Sequence, residues 1–443
     1  MTSAGCAIGL GNVWRFPFIT GQYGGAAFVL FYLAFLVLLG LPIMLMEFAV
    51  GRASGKSAVR SFHALEPAGS KWHIFGYLAA AGNYVLMMFY TTVAGWMLSY
   101  TFKSAKGVFS AMSPDEVSAV FGTMLANPTE QVVWMAIVVI VGFAICLRGL
   151  KAGVEKASTI IMTSLLFLML VLVVRAVTLP GAAKGLAFYL KPDFSKMIKS
   201  GIGEVIFAAM GQSFFTLSLG IGSLAIFGSY IGKEKALTGE AISIISLDTF
   251  VALMAGFIIF PSCFAFGVNP GQGPGLIFAT LPNIFNEMTF GRVWGTLFFV
   301  FMSFASLSTV IAVFENIISF AMDMGGWSRR KAVLVNLVLV LVLSIPCALG
   351  FNLWSGITVP GIGNIQDVED FFVSNNLLPI GSLVYLLFCT SRYGWGFDKF
   401  LAEANAGSGI KVPRGIRFYV SWVLPVIILA IWTVGYIQKF ILK

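Results

Sequence analysis

Asp248 is the residue of this sequence whose setting most demands chemistry. It lies well inside an apolar run, where an ionised side chain costs roughly 2.5–3.5 kcal/mol on insertion scales. Such a carboxylate needs a cation or a donor beside it. Asn12, beside Gly11, and Thr216, four residues before Gly220, lie in two other apolar runs and offer only neutral oxygens and amide donors. A hard monovalent cation held by those oxygens would compensate the charge. Ser308 and Thr309 place two adjacent hydroxyls in a further apolar run. Back-bonding to the preceding turn is the commoner role for membrane Ser and Thr, but the helix breaks described next shift the weight toward ligation. The other intramembrane charges read differently. Arg15 follows the first break by about a turn, and Asp370 opens an apolar run. Glu204 suits a helix N-terminus. Glu47 suits an acceptor for amides freed by a break, and Glu315 is balanced between packing partner and site neighbour.

The elements that position these residues must be broken membrane helices. Gly9-Leu10-Gly11-Asn12-Val13-Trp14-Arg15-Phe16-Pro17 interrupts the first apolar run, and Phe214 through Gly222 interrupts a later one. Glycine weakens a helix, and unpaired backbone is tolerated in a bilayer only where it is buried in protein or lines a cavity. Two such interruptions in corresponding positions of two halves point to a binding site in a secondary transporter.

The composition agrees. Of 443 residues 58% are hydrophobic and 11% charged, against roughly 25% charged in soluble domains. Runs long enough to span a bilayer, about 20 residues, recur at about 2–23, 26–49, 74–102, 132–147, 157–179, 203–230, 241–268, 290–322, 332–352, 367–390 and 416–438. Eleven spans form a single transmembrane domain over 1–443, with one repeat at about 2–180, a second at about 203–390, and the last span outside both. Basic residues such as Arg52, Lys56, Arg60 and Lys71 fill alternate loops, so the net charge of +9 reports orientation rather than nucleic-acid binding. The N-terminus is expected inside, although Lys184, Lys191, Lys196 and Lys199 in an outer loop run against the pattern. The five cysteines lack paired spacing, so neither a disulfide framework nor a metal site follows. His63 and His73 read as solvated rather than ligating. No nucleophile–base constellation and no phosphate loop after a strand appear, so an enzyme is not expected.

The two interrupted segments, together with Pro42 through Arg52, Tyr90 and Trp96, Ser229-Tyr230 and Ala305 through Glu315, resemble the neurotransmitter:sodium symporter family over nearly the whole chain. Eleven spans suit its bacterial branch. The resemblance implies an all-α polytopic membrane protein in the inner (plasma) membrane, with the LeuT-like fold: a 5+5 inverted repeat with discontinuous helices 1 and 6. It implies one sodium held by Ala7, Asn12, Thr216, Asp248 and the substrate carboxylate. A second would be held by Gly5, Ile8, Ala305, Ser308 and Thr309. The substrate carboxylate would meet the amides of Leu10 and Gly11 and the Tyr90 hydroxyl. Its amine would meet Ala7, Phe215, Thr216 and Ser218, and its side chain Leu86, Ile221, Val313 and Phe215. Arg15 and Asp370 would form an outer gate with Phe215 as lid, and Asp323 and Tyr230 belong to the inner gate.

Departures from the family pattern sharpen the expectation. Gly9 stands where monoamine carriers have an aspartate, which favours a substrate bringing its own carboxylate. Asp248 and Ala252 stand where chloride-dependent members have asparagine and serine. Tyr32, Gln212 and Thr216 remain, but a built-in charge makes chloride redundant. The chain also starts late relative to the family, and Asp323 lacks the arginine expected upstream. The reading is therefore a sodium-coupled, chloride-independent carrier of hydrophobic or aromatic amino acids working by alternating access, with sodium as coupling ion and no other cofactor. Its rivals are a non-transporting amino-acid sensor, a leak pathway, and a proton-coupled carrier using Asp248.

Overall fold

The computed structural model describes residues 8–110, 112–268, 270 and 275–441. Among them, nine uninterrupted helices are long and apolar enough to cross a membrane. Two further helical stretches lie beside them, one described from its start near Gly11 and one in two pieces. α1 (residues 11–22) opens on a π-wound turn, Gly11–Arg15, and continues as Phe16–Gln22 with Pro17 in its first turn, where the missing amide costs nothing. α2 is Ala26–Ser54, α3 His73–Lys106, α4 Pro128–Leu147 and α5 Leu150–Val177. α6 comes in two pieces, Ile202–Thr216 and Ser223–Ser229. α7 is Leu237–Ala265, α8 Gly291–Gly325, α9 Arg329–Leu349, α10 Ile365–Thr390 and α11 Arg414–Phe440.

Burial sorts these helices by role. The apolar windows of α3 and α8 are 72% and 78% buried, whereas those of α5 and α11 are 28% buried. The first pair therefore walls the interior and the second pair faces lipid. Short helices cap the ends, among them Ala58–Leu65, Pro114–Ala126, Ala182–Leu190, Phe194–Ser200 and Phe397–Ala404. Several of these occupy stretches that read as plain loops in the sequence. Ser113 and Glu116 show why one of them is helical: they form a reciprocal capping box at the start of Pro114–Ala126.

The gap in α6 has a defined backbone. Ser218, Gly220 and Gly222 hold φ at +52°, +84° and +76°, a region that a β-carbon disfavours and glycine enters freely. The amides released there are not left bare. Glu47 of α2 accepts from Gly220 at 2.9 Å and from Leu224 at 3.1 Å, the scaffold role expected of it. The second piece of α6 lies backbone against backbone on α2. A β-carbon at Gly51 would run into the Ala225 carbonyl, and one at Gly228 into that of Phe48.

Two buried ion pairs brace the inner half. Glu315 of α8 accepts a bidentate contact from Arg329 at 3.0 and 2.5 Å, so it acts as a packing partner. Arg52 donates to Glu403 at 2.7 Å and to the carbonyl of Lys235 at 2.9 Å. Arg52 and Arg329 both read as loop cations in the sequence. The folded chain instead uses each to neutralise a carboxylate from a distant segment. Cys146, Cys263, Cys347 and Cys389 are free and buried.

Candidate functional site

The two breaks meet at Asp248, which α7 presents completely buried. Asn12 of α1 donates its amide nitrogen to Asp248 Oδ1 at 2.7 Å and to the Asp248 carbonyl at 3.0 Å. Thr216, the last residue of the first α6 piece, donates its hydroxyl to both carboxylate oxygens at 3.2 Å. Gln212 donates to the Gly11 carbonyl at 2.8 Å and ties α6 to α1. Two oxygen-bearing side chains, from α1 and α6, thus converge on one carboxylate of α7. The donors are all neutral, so none of them balances the carboxylate charge in this dry surrounding when Asp248 is ionised. A monovalent cation suits that balance. To ligate one, Asn12 must present its oxygen, which here accepts from the Gly9 amide at 3.0 Å.

A second oxygen cluster lies between α1 and α8. Ser308 Oγ sits 2.6 Å from the Ile8 carbonyl and 2.8 Å from that of Ala305, and Thr309 is buried beside it. Gly5 and Ala7, the remaining expected ligands, lie outside the described residues.

Between these clusters is a small cavity lined by Gly9, Gly11, Leu86, Tyr90, Phe215, Thr216, Ser218, Ile221 and Thr309, with Val373 and Leu378 of α10 closing one wall. The walls leave about 20 Å³, room for roughly one water. Tyr90 accepts from the Leu10 amide at 2.9 Å, and its hydroxyl also lies in hydrogen-bond contact with Thr309. A side chain at position 9 would have to displace Thr309 and the Tyr90 hydroxyl, the latter at 2.8 Å from a β-carbon there. At position 11 a β-carbon would press on the Phe215 ring at 3.0 Å. The expected residue Val313 is buried one helical turn beyond Thr309 and does not line this cavity. Val373 and Leu378 take that place. Sequence reading missed both, since nothing in an all-apolar stretch marks which face will meet the site.

Above the cavity, Phe215 and Arg15 form a roof. The Arg15 guanidinium lies 4.4 Å from the Phe215 ring centroid. Its nearest distance to Asp370 is 3.8 Å, and Ser374 bridges the two, accepting from Arg15 at 2.9 Å and donating to Asp370 at 2.6 Å. Ser374 had no signal in the sequence beyond its place one turn past Asp370. Two cavities of about 250 and 280 Å³ lie against this roof and share Arg15 and Asp370 in their linings. On the opposite side, Asp323 makes no ion pair among the described residues. Asp323 accepts from the Ser57 amide at 2.7 Å, and Tyr230 is half exposed with its hydroxyl 3.5 Å from that of Ser319.

A helical membrane protein whose two interrupted helices meet at a buried, cation-seeking carboxylate has the architecture of an ion-coupled carrier. The sodium:neurotransmitter symporter family matches residues 1–114 and 121–442, and this chain belongs to that family. It is 34% identical over 426 residues to an uncharacterized sodium-dependent transporter of Bacillus subtilis, YhdH, covering 95% of this chain and 91% of the relative. It is 33% identical over 448 residues to one of Haemophilus influenzae, covering 98% and 95%. Among solved structures it resembles MhsT in complex with L-phenylalanine, with a TM-score of 0.89 and 37% identity over 98% of this chain and 97% of that one. The chain is therefore a multi-pass plasma-membrane protein of a sodium-dependent transporter family, with the LeuT-type helical fold.

Proposed function

We propose that the chain is a sodium-coupled symporter of hydrophobic or aromatic amino acids, driven by alternating access and independent of chloride. The observation that carries the reading is the meeting of Asn12, Thr216 and Asp248 at the junction of both helix breaks. Sodium bound there supplies the positive charge that Asp248 lacks, and in the same act joins α1, α6 and α7. A fixed carboxylate next to the cation makes an added anion unnecessary.

The amino-acid part rests on Gly9, Tyr90 and the apolar wall. The amides near Gly11 and the Tyr90 proton suit a carboxylate, and Leu86, Ile221, Phe215, Val373 and Leu378 suit an apolar side chain. The similar protein MhsT was solved in complex with L-phenylalanine, which supports the same class. The cavity must expand to admit such a ligand, which fits a roof of one ring and one bridged ion pair that can lift. Substrate closing beneath Phe215 would then favour release to the other side.

Uptake of radiolabelled leucine, phenylalanine and tryptophan into proteoliposomes under an inward sodium gradient tests the reading. Accumulation above equilibrium that stops when choline replaces sodium supports it. Binding without accumulation means a sensor, and uptake driven by a proton gradient in sodium-free buffer means a proton-coupled carrier.

A further inference from the structure

The chain has two histidines in 443 residues, and the fold brings both onto one carboxylate. His63 ends the short helix Ala58–Leu65, His73 begins α3, and Glu66 lies in the connector between them. The Nδ1 atoms of His63 and His73 stand 3.2 and 2.6 Å from the same oxygen, Glu66 Oε1. The other oxygen is held from behind, by the Ser70 hydroxyl at 3.1 Å and the His73 amide at 3.1 Å. The Glu66 side chain is 7% exposed and that of His63 is 65% exposed. The cluster is thus anchored on its acid and open to water on one imidazole. Its ligand atoms all lie within 4.8 Å of one another.

We propose that His63, Glu66 and His73 form a site for a divalent transition metal of the zinc class. Two imidazoles and one carboxylate are a donor set that Zn²⁺ takes with water in the fourth position, at about 2.0–2.2 Å from each ligand atom. One dication can take the place between the imidazoles and Glu66 Oε1 that hydrogen bonds now bridge. Ser70 and the His73 amide supply the outer hydrogen bonds that fix a ligating carboxylate. Oxygen-seeking Mg²⁺ is a poor competitor for two nitrogens. The loop also carries Arg52, Lys56, Arg60 and Lys71, which sets the site on the cytoplasmic side.

Its position gives the metal something to control. The helix Ala58–Leu65 is packed under the α6 break, where a β-carbon on Gly222 would come within 2.5 Å of Ala58 Cβ. Phe62 of that helix stacks among Phe75, Tyr385 and Phe388 with ring centroids 4.8–5.8 Å apart. A metal bridging His63 to His73 staples this helix to the foot of α3 and opposes its withdrawal. Opening of the inner face slows when the metal is bound.

The test uses the full chain without an affinity tag, so that no added histidines compete. Titration with Co²⁺, followed by its visible d–d absorption, is expected to show one ion per chain, displaced by Zn²⁺ and not by Mg²⁺. His63→Ala and His73→Ala are each expected to weaken binding by more than the roughly tenfold to hundredfold that losing an outer hydrogen-bond partner costs. Zn²⁺ on the cytoplasmic face is expected to slow sodium-driven uptake in the parent and leave His63→Ala unaffected. Because Co²⁺ binding is read without transport, it stands even if the proposed substrate is wrong. Absence of stoichiometric binding, or binding kept in the double variant, overturns the site. Equal inhibition of parent and His63→Ala overturns the clamp.

Discussion

Asn12 and Asp248, 236 residues apart in the chain, are joined by two hydrogen bonds from one amide nitrogen, 2.7 Å to the carboxylate and 3.0 Å to the backbone carbonyl. The contact ties the first helix break to an unbroken helix at a point of negative charge. It also makes α1 responsive to whatever neutralises that charge.

Asp248→Asn is therefore expected to reduce sodium affinity by at least tenfold, equivalent to about 1.4 kcal/mol, since the variant keeps hydrogen bonds but loses the charge. Equilibrium sodium binding by isothermal calorimetry reads this directly. In the parent, exchange of chloride for gluconate should leave uptake unchanged. In Asp248→Asn combined with Ala252→Ser, one helical turn on, uptake should become chloride-dependent. Parent uptake that collapses without chloride would show that the fixed charge does not stand in for an anion.

Tyr90→Phe removes the hydroxyl proposed to meet the substrate carboxylate, together with its contacts to the Leu10 amide and Thr309. A hydrogen bond to a charged group contributes about 1.5–3 kcal/mol, so amino-acid affinity should fall roughly tenfold or more. Gly11→Val, with a branch forced onto the Phe215 ring, should abolish binding while the protein still runs as a monodisperse peak. Scintillation-proximity binding with a labelled apolar amino acid separates the two. Normal affinity in Gly11→Val would remove the proposed carboxylate pocket.

Ser374→Ala cuts the bridge between Arg15 and Asp370 while leaving both charges in place. Their direct separation of 3.8 Å is long for a charge-assisted contact. The roof should lift more easily, and bound amino acid should dissociate roughly tenfold faster, the consequence of about 1.4 kcal/mol between the two states. An unchanged dissociation rate would mean that the arginine–phenylalanine stack alone holds the roof.

Arg329→Leu strands Glu315, which is 1% exposed, without its partner. Removing one member of a buried pair costs roughly 3–5 kcal/mol, whereas replacing both by apolar groups can be neutral. Since the Arg329 side chain is 23% exposed, the loss should fall toward the lower figure. The melting temperature in detergent should drop clearly in Arg329→Leu and recover in the double variant with Glu315→Leu. Failure of the double variant to recover would show that the pair specifies geometry as well as balancing charge.

What could be read beforehand followed from local rules. A glycine pair in an apolar run, a mid-membrane aspartate and a carboxylate near a break each state a local cost, and in the fold Asn12 and Thr216 donate to Asp248 while Glu47 accepts from the amides of the α6 gap. What could not be read depended on tertiary approach. Arg52 and Arg329 sit among other basic residues at helix ends and look like their neighbours until Glu403 and Glu315 arrive from far along the chain. Ser374 is one hydroxyl among many, and only its distance to two charges sets it apart. Val373 and Leu378 line the cavity because α10 turns that face inward, a rotation that a uniformly apolar sequence does not encode. His63 and His73, ten residues apart, meet because the connector doubles back through Glu66.

The seam between Gly51 and Gly228 bears on how faithfully ions and cargo would be counted. With no side chains between them, α2 and the lower piece of α6 can only travel together, as one stiff lever reaching from the ion-binding junction toward the inner mouth. Slack in such a joint would let sodium cross without a passenger and drain the gradient on which the cell's other carriers draw. A single methyl at either glycine would wedge the seam apart. The cost of that wedge would then appear as slippage, a rising number of ions spent per molecule delivered, before it appeared as any loss of binding.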